Sequence, residues 1–189
     1  MYQKYYTEVL VLGSRERGEA DRVFALFTKD FGLVRARASA VRAETSRMRY
    51  ALQHYTRAKA ALVRGKRGWR LGGAVALPDH LSHSTAAVFA RIARLVLRLV
   101  AGEERNDYLF DALSEAHRAL SRSASEVHAV IEIVCVARVL FALGYLSQEA
   151  LSTTLFSHAA YTERDLAEAL PLRDTFLTSI NRAISESHL

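Results

Sequence analysis

The chain has one cysteine, Cys135, among 189 residues. No disulfide can close within it, and no cysteine-based zinc site can form. That usage suits a reducing, cytoplasmic location. There are two prolines, Pro78 and Pro171, and one tryptophan, Trp69. Long apolar runs are missing: Arg91, Arg94, Arg98 and Glu132 interrupt the longest stretches, so no membrane span is expected. The start, Met1-Tyr2-Gln3-Lys4-Tyr5-Tyr6, is polar and aromatic and does not read as a secretory signal. No nucleophile elbow or paired-carboxylate motif is present. Gly65-Lys66-Arg67-Gly68 lacks the spacing and the Ser or Thr of a phosphate-cradling loop. Asp79, His80 and His83 resemble a loose metal triad with nothing to orient the ligands, and a surface linker is the better reading. Cys135 lies in an apolar stretch and reads as a small core residue rather than a nucleophile. The expectation is a protein that is not an enzyme and carries no cofactor.

Acids are scarce in one place. Residues 35–70 hold eleven Lys or Arg and a single acid, Glu44. The rest of the chain holds 15 basic and 19 acidic residues, so the net charge of +6 originates in this stretch. The cations alternate with apolar residues, as in Val34-Arg35-Ala36-Arg37-Ala38. A period of two places Arg35 and Arg37 on one face of a strand and the small apolar residues on the other. Such a face suits a polyanion. A solvated sheet surface is the alternative, but such surfaces mix both signs of charge and this one does not.

The first 80 residues read as strands: 8–12, 21–28, 33–41, 50–63 and 69–77. The 21–28 segment also admits a helix. Gly13 ends the first strand in this reading, and Lys29-Asp30-Phe31-Gly32 is a turn with Gly32 in the left-handed region. Residues 65–68 make a hairpin loop, and Gly72-Gly73 marks a bulge or a weak point. Five strands at short spacing predict a small closed barrel. After Pro78 the period changes to helical. Helices are expected over 86–100, 107–120 and 127–143, the last apolar nearly all round and so central to a bundle. Ser123 with Glu126 has the spacing of a capping box, and Thr162 with Asp165 opens a further helix that Pro171 separates from the last one. Gly144 is the expected helix stop. A short helix over 146–158 and a last one over 174–185 complete the chain. The fold class is therefore α+β, with a barrel domain over 1–79 and an all-α domain over 80–189.

Several short motifs fall in the order of a known family. They are Gly18-Glu19-Ala20-Asp21-Arg22, Thr28-Lys29-Asp30-Phe31-Gly32-Leu33, Ala38-Ser39-Ala40-Val41-Arg42, Ser46-Arg47-Met48-Arg49 and Leu52-Gln53-His54-Tyr55. In these the chain resembles the RecO family of bacterial recombination mediators in DNA repair. The likeness covers about residues 8–75 and continues weakly through residues 138–145. It implies an OB-fold barrel that binds DNA and a helical partner-binding domain. It also implies annealing of complementary single strands and loading of recombinase onto strands coated by single-strand-binding protein. That coating protein's C-terminal tail and a RecR-like protein would be the partners. Three departures stand out. Many members carry a four-cysteine zinc site after the central helix, and residues 146–162 here contain no cysteine, which excludes a zinc role. The family usually has Gly where Ala40 stands. This chain is also shorter than typical members.

Binding single strands without sequence preference needs cations along the backbone and flat side chains for stacking. The candidates are Arg35, Arg37, Arg42, Arg47, Arg49, Arg57, Lys59, Arg64, Lys66, Arg67 and Arg70, with Tyr55 and Trp69 as stacking residues. Burial in the barrel is the alternative for both aromatics. Tyr55, Arg57 and Lys59 would share one strand face. Arg138, on the most apolar helix, reads either as a member of an internal ion pair with Glu132 or Asp111 or as an anion receptor. With Arg94 and Arg98 it is a candidate for gripping an acidic tail. An RNA-binding OB module, and a docking adaptor with weak nucleic-acid binding, are the competing functions.

Overall fold

A computed structural model describes residues 3–43, 46–146 and 153–186. They form two compact units. The first comprises Met1–Leu81 and Val96–Asp107, and the second Ser82–Leu95 and Tyr108–Leu189.

The first unit is a closed five-stranded OB barrel in the order β1-β2-β3-β5-β4. Its strands are β1 (Lys4–Arg17), β2 (Asp21–Thr28), β3 (Gly32–Ala38), β4 (Arg57–Gly65) and β5 (Gly68–Ala76). All pairings are antiparallel except that of β3 with β5, which is parallel and joins Ala36 to Trp69 and Arg37 to Arg70. Alternate residues fill the barrel. Val9, Val11, Phe24, Leu26, Val34 and Ala36 belong to one core cluster with Trp69 and Leu71. A period of two leaves Arg35 and Arg37 exposed between buried neighbours, as the alternation predicts.

Three local readings change. Gly13 does not end β1. It sits at a bulge, where the register slips between Val11 and Gly13, and the strand runs on to Arg17. The stretch expected to be strand over 50–63 begins as a helical turn, α1 (Met48–Ala51), whose Ala51 and Leu52 are buried. Four residues are too few to show a helical period. The segment 21–28 is strand throughout.

Ala40 has a φ of 52°, in the region glycine tolerates best, and its N–H donates to Asp21 Oδ1 at 2.9 Å. An L side chain there costs about 1–2 kcal/mol, partly offset by up to about 1 kcal/mol of unfolded-chain entropy that glycine would add. Ala40→Gly should therefore stabilise the barrel by about 0.5 kcal/mol. Urea titration of the two proteins would show it, and a lower midpoint for the glycine form would contradict the strain.

The second unit is helical. It holds most of α2 (His83–Leu99), α3 (Asp107–Arg122), α4 (His128–Ala142), α5 (Glu163–Ala169) and α6 (Arg173–Glu186). Phe89 meets His117 edge-on at 5.3 Å, and Phe141 stacks on Phe156 at 4.8 Å. Arg91 holds both oxygens of Glu132 at 2.6 Å. Thr162 and Asp165 open α5 as expected, and they do so with a capping box. Ser123 and Glu126 form no such box: a short 3-10 turn, Ser125–Val127, precedes α4, with Ala124 at its cap. Gly144, at φ 80°, ends α4, and Tyr145 N–H reaches Leu140 O at 2.8 Å. Within the segment expected as a short helix, residues 153–158 are turns and 147–152 lie outside the described residues. No helix among the described residues is long and apolar enough to cross a membrane.

Candidate nucleic-acid interface

The barrel brings one set of cations together. Lys66 and Arg67 form the tip between β4 and β5, where Gly65 pairs with Gly68. The parallel seam lays Arg37 beside Arg70, and β2 lays Arg35 opposite Ala25 and Arg37 opposite Val23. The result is a groove of about 420 Å³ lined by Arg17, Arg35, Arg37, Lys66, Arg67 and Arg70. Val23, Val63 and Trp69 also line it. Like charges in register repel one another. One of them is answered from within: Asp21 pairs with Arg37 through Nε at 2.7 Å and through Nη2. The Ala40 N–H, first, and the Arg37 guanidinium, second, hold the Asp21 carboxyl below the usual carboxylate range. Arg35 is exposed and makes no ion pair among the described residues.

Trp69 is a core residue, 4% exposed. Tyr5 meets it edge-on at 5.6 Å and Phe31 lies against it at 5.0 Å. Arg64 covers its ring at 5.1 Å and pairs with Glu103 at 3.4 Å. Trp69 therefore supports the groove from below and does not offer an open stacking face, although its indole Nε1 has no partner.

Other sequence candidates fall elsewhere. Arg57 does lie on the outer side of β4 with Lys59, but it is 2% exposed. Its guanidinium holds Asp79 at 2.6 Å and Glu8 at 3.4 Å. A buried, doubly paired cation is not open to a polyanion, so Arg57 leaves the interface. Asp79 is thereby an ion-pair partner, not a metal ligand. Lys59 is exposed, but it lines a different, apolar groove with Tyr6, Ala61, Gly73 and Val75. Tyr55 precedes β4, half-buried at φ 64°, with its N–H bonded to Val11 O at 2.7 Å. It shares no strand face with Lys59. Arg42 and Arg49 line a separate pocket with Arg22, and Arg47 is exposed.

In the helical unit, Arg138 is wholly buried. Its Nε donates to Leu155 O at 2.9 Å and its Nη1 to Ala159 O at 2.7 Å, and it lies over the Tyr161 ring at 4.5 Å. It is neither at a groove mouth nor paired with Glu132 or Asp111, as the sequence led one to expect. Arg94 and Arg98 are exposed. No cluster of three or more His, Cys, Asp or Glu suited to a metal occurs among the described residues.

Arg17, which lines the groove, and Arg22, which lines the separate pocket, are cations that the sequence reading passed over. Both flank the β1–β2 turn, where Arg17 pairs with Asp21 and Glu16 with Arg22. The Gly18 turn, with charged residues on both sides of it, was the available signal.

Residues 1–72 match the family described as Recombination protein O N terminal. Three relatives are DNA repair proteins RecO. That of Desulfitobacterium hafniense is 42% identical over 62 residues, which is 33% of this chain and 23% of the relative. That of Heliobacterium modesticaldum is 44% identical over 62 residues, with the same shares. That of Pelotomaculum thermopropionicum is 31% identical over 129 residues, 65% of this chain and 50% of the relative. The chain thus spans half the length or less of the curated relatives it matches.

Proposed function

We propose, from the match of residues 1–72 to the Recombination protein O N-terminal family, that this chain binds single-stranded DNA in DNA repair and recombination, annealing complementary strands without catalysing a reaction. The observation that carries this reading is the groove in which six cations converge at the tip of β4 and β5. Two strands resist pairing because their phosphates repel. A groove of fixed cations lowers that cost by neutralising phosphates on both. Help in loading recombinase, and docking of a RecR-like protein and of the single-strand-binding protein tail, extend the proposal by family relation. The exposed Arg94 remains the better tail candidate in the helical unit, since Arg138 is buried. A cytoplasmic setting goes with this role.

The test is a strand-annealing assay with complementary oligonucleotides, beside binding measured over a range of salt. Changing Arg35, Lys66, Arg67 and Arg70 together to Ala should flatten the log–log salt slope by about three units, at about 0.7 for each lost phosphate contact. Lys59→Ala, on the other groove, should leave the slope where it was. An unchanged slope in the quadruple variant would remove the groove from the path of the nucleic acid.

A further inference from the structure

Arg22, Arg42 and Arg49 surround a second pocket, of about 190 Å³, beside α1. Its apolar wall is Phe24, Val41 and Leu52, all buried. One carboxylate answers these three cations among the described residues. Glu16 bridges two of them, with Oε1 3.4 Å from Arg22 Nη2 and Oε2 3.3 Å from Arg42 Nη1. Charge-assisted contacts of full strength run about 2.7–2.9 Å, so Glu16 is loosely held. More than half of its side chain is exposed. Arg22 keeps Nε buried and without a partner, and Arg49 spends its guanidinium on Tyr50. Two carboxylate oxygens leave donors of three guanidinium groups unanswered, whereas a phosphate presents more oxygens and more charge.

We propose that this pocket is a phosphate subsite, two of whose arginines, Arg22 and Arg42, are engaged in the free protein by the Glu16 carboxylate, which a phosphate group displaces. The proposal rests on the single-strand reading and adds a second anion position on the same barrel. Glu16 then acts as an internal competitor. It keeps the arginines arranged when no ligand is present and weakens binding of ligand by the strength of its own contact. A positive field at this end is also felt by His54, which bonds Ser14 through Nε2 at 2.8 Å. Desolvation, first, and Arg22, second, hold its imidazole below the ordinary histidine range.

The experiment measures binding of oligothymidine, with and without a 5′-phosphate, to the full chain and to Glu16→Gln, Arg22→Ala, the double variant and Glu19→Gln. Glu19 is exposed on the same turn and lines no pocket named here. Glu16→Gln should tighten binding about threefold, within the range of a surface ion pair, and steepen the salt slope by about 0.7. The gain should vanish in the Arg22→Ala background. A gain with both oligonucleotides identifies a backbone phosphate, and a gain with the phosphorylated one alone identifies a terminal phosphate. Either supports the subsite. In a protein that binds the oligonucleotides, no gain, or an equal gain in Glu19→Gln, overturns it. Titration with inorganic pyrophosphate, followed by the Arg22 Nε–H resonance, separates the two readings. A saturable shift in a protein that ignores oligonucleotides keeps the subsite and removes the DNA reading. A motionless resonance in a protein that binds them does the reverse.

Discussion

Arg138→Ala should cost the helical unit about 3 kcal/mol. Three terms set that figure. Truncating one of the largest fully buried side chains leaves a cavity, worth about 2–5 kcal/mol. The carbonyls of Leu155 and Ala159 lose their donor, at about 1–3 kcal/mol each if they stay buried. Against these stands relief from holding a charge away from water, several kcal/mol after relaxation. That relief is large here because nothing ionised among the described residues pairs with the guanidinium. Burial pushes the Cys135 thiol up to about 12 and keeps the Tyr161 hydroxyl protonated well beyond its usual range, so both neighbours stay neutral. Arg138→Met fills most of the volume without the donors, and should fall between parent and Ala. Amide exchange in residues 155–161 should quicken in both variants. A chain as stable with Met as with Arg would mean that the two carbonyl bonds no more than cancel the cost of burying the charge.

Gly32→Ala should cost the barrel about 3 kcal/mol or more, a large share of the roughly 5–15 kcal/mol that a domain has. Gly32 has a φ of 63°, where a side chain costs about 1–2 kcal/mol by itself. A Cβ at this position would also collide with Glu104 O, and would stand 2.7 Å from Glu104 C and 2.9 Å from Glu104 N. All three atoms are backbone, so no side chain can swing aside. The segment is also tied down, with Leu33 N–H bonded to Gly102 O at 3.3 Å. Overpacking of this kind costs about 1–3 kcal/mol. Gly18→Ala supplies the comparison, with a φ of 67° and nothing within 4 Å of its Cβ. It should pay the conformational cost alone, about 1–2 kcal/mol. Chemical denaturation of the two variants measures the collision as their difference. Equal losses would show that residues 102–104 do not press on the β2–β3 turn.

The features legible in the sequence are those whose cause is local. Alternation in Val34–Ala38 shows the two faces of β3, and Thr162 with Asp165 shows a helix start, because each pattern spans a few residues. The same logic misleads at Ser123 and Glu126, where a 3-10 turn takes the place of the box. Arg57 carries the same lesson at longer range. Its period places it outside the barrel correctly, but Glu8 and Asp79, which bury its charge, are 49 and 22 residues away. Arg138 is similar, since its acceptors lie 17 and 21 residues on, in a stretch with no periodic pattern. Arg17 and Arg22 were missed because charge was counted along the chain. The groove and the pocket gather charge across strands.

The parallel seam between β3 and β5 has a kinetic consequence. Two residue pairs close the barrel there, whereas β1 meets β2, and β4 meets β5, through eight pairs each. Those longer ladders join neighbours in the chain and can zip from a turn. The seam must bring Ala36 to Trp69 and Arg37 to Arg70 across an intervening helix and strand, and that loop has to be closed before any contact repays it. Closure should come late in folding, with substitutions at Ala36 acting on the unfolding rate far more than on the folding rate. Until the seam shuts, Arg35 and Arg37 on one edge and Lys66, Arg67 and Arg70 on the other are two separate charged strands. The groove thus comes into being at the last step of barrel assembly, and every opening of the seam dissolves it.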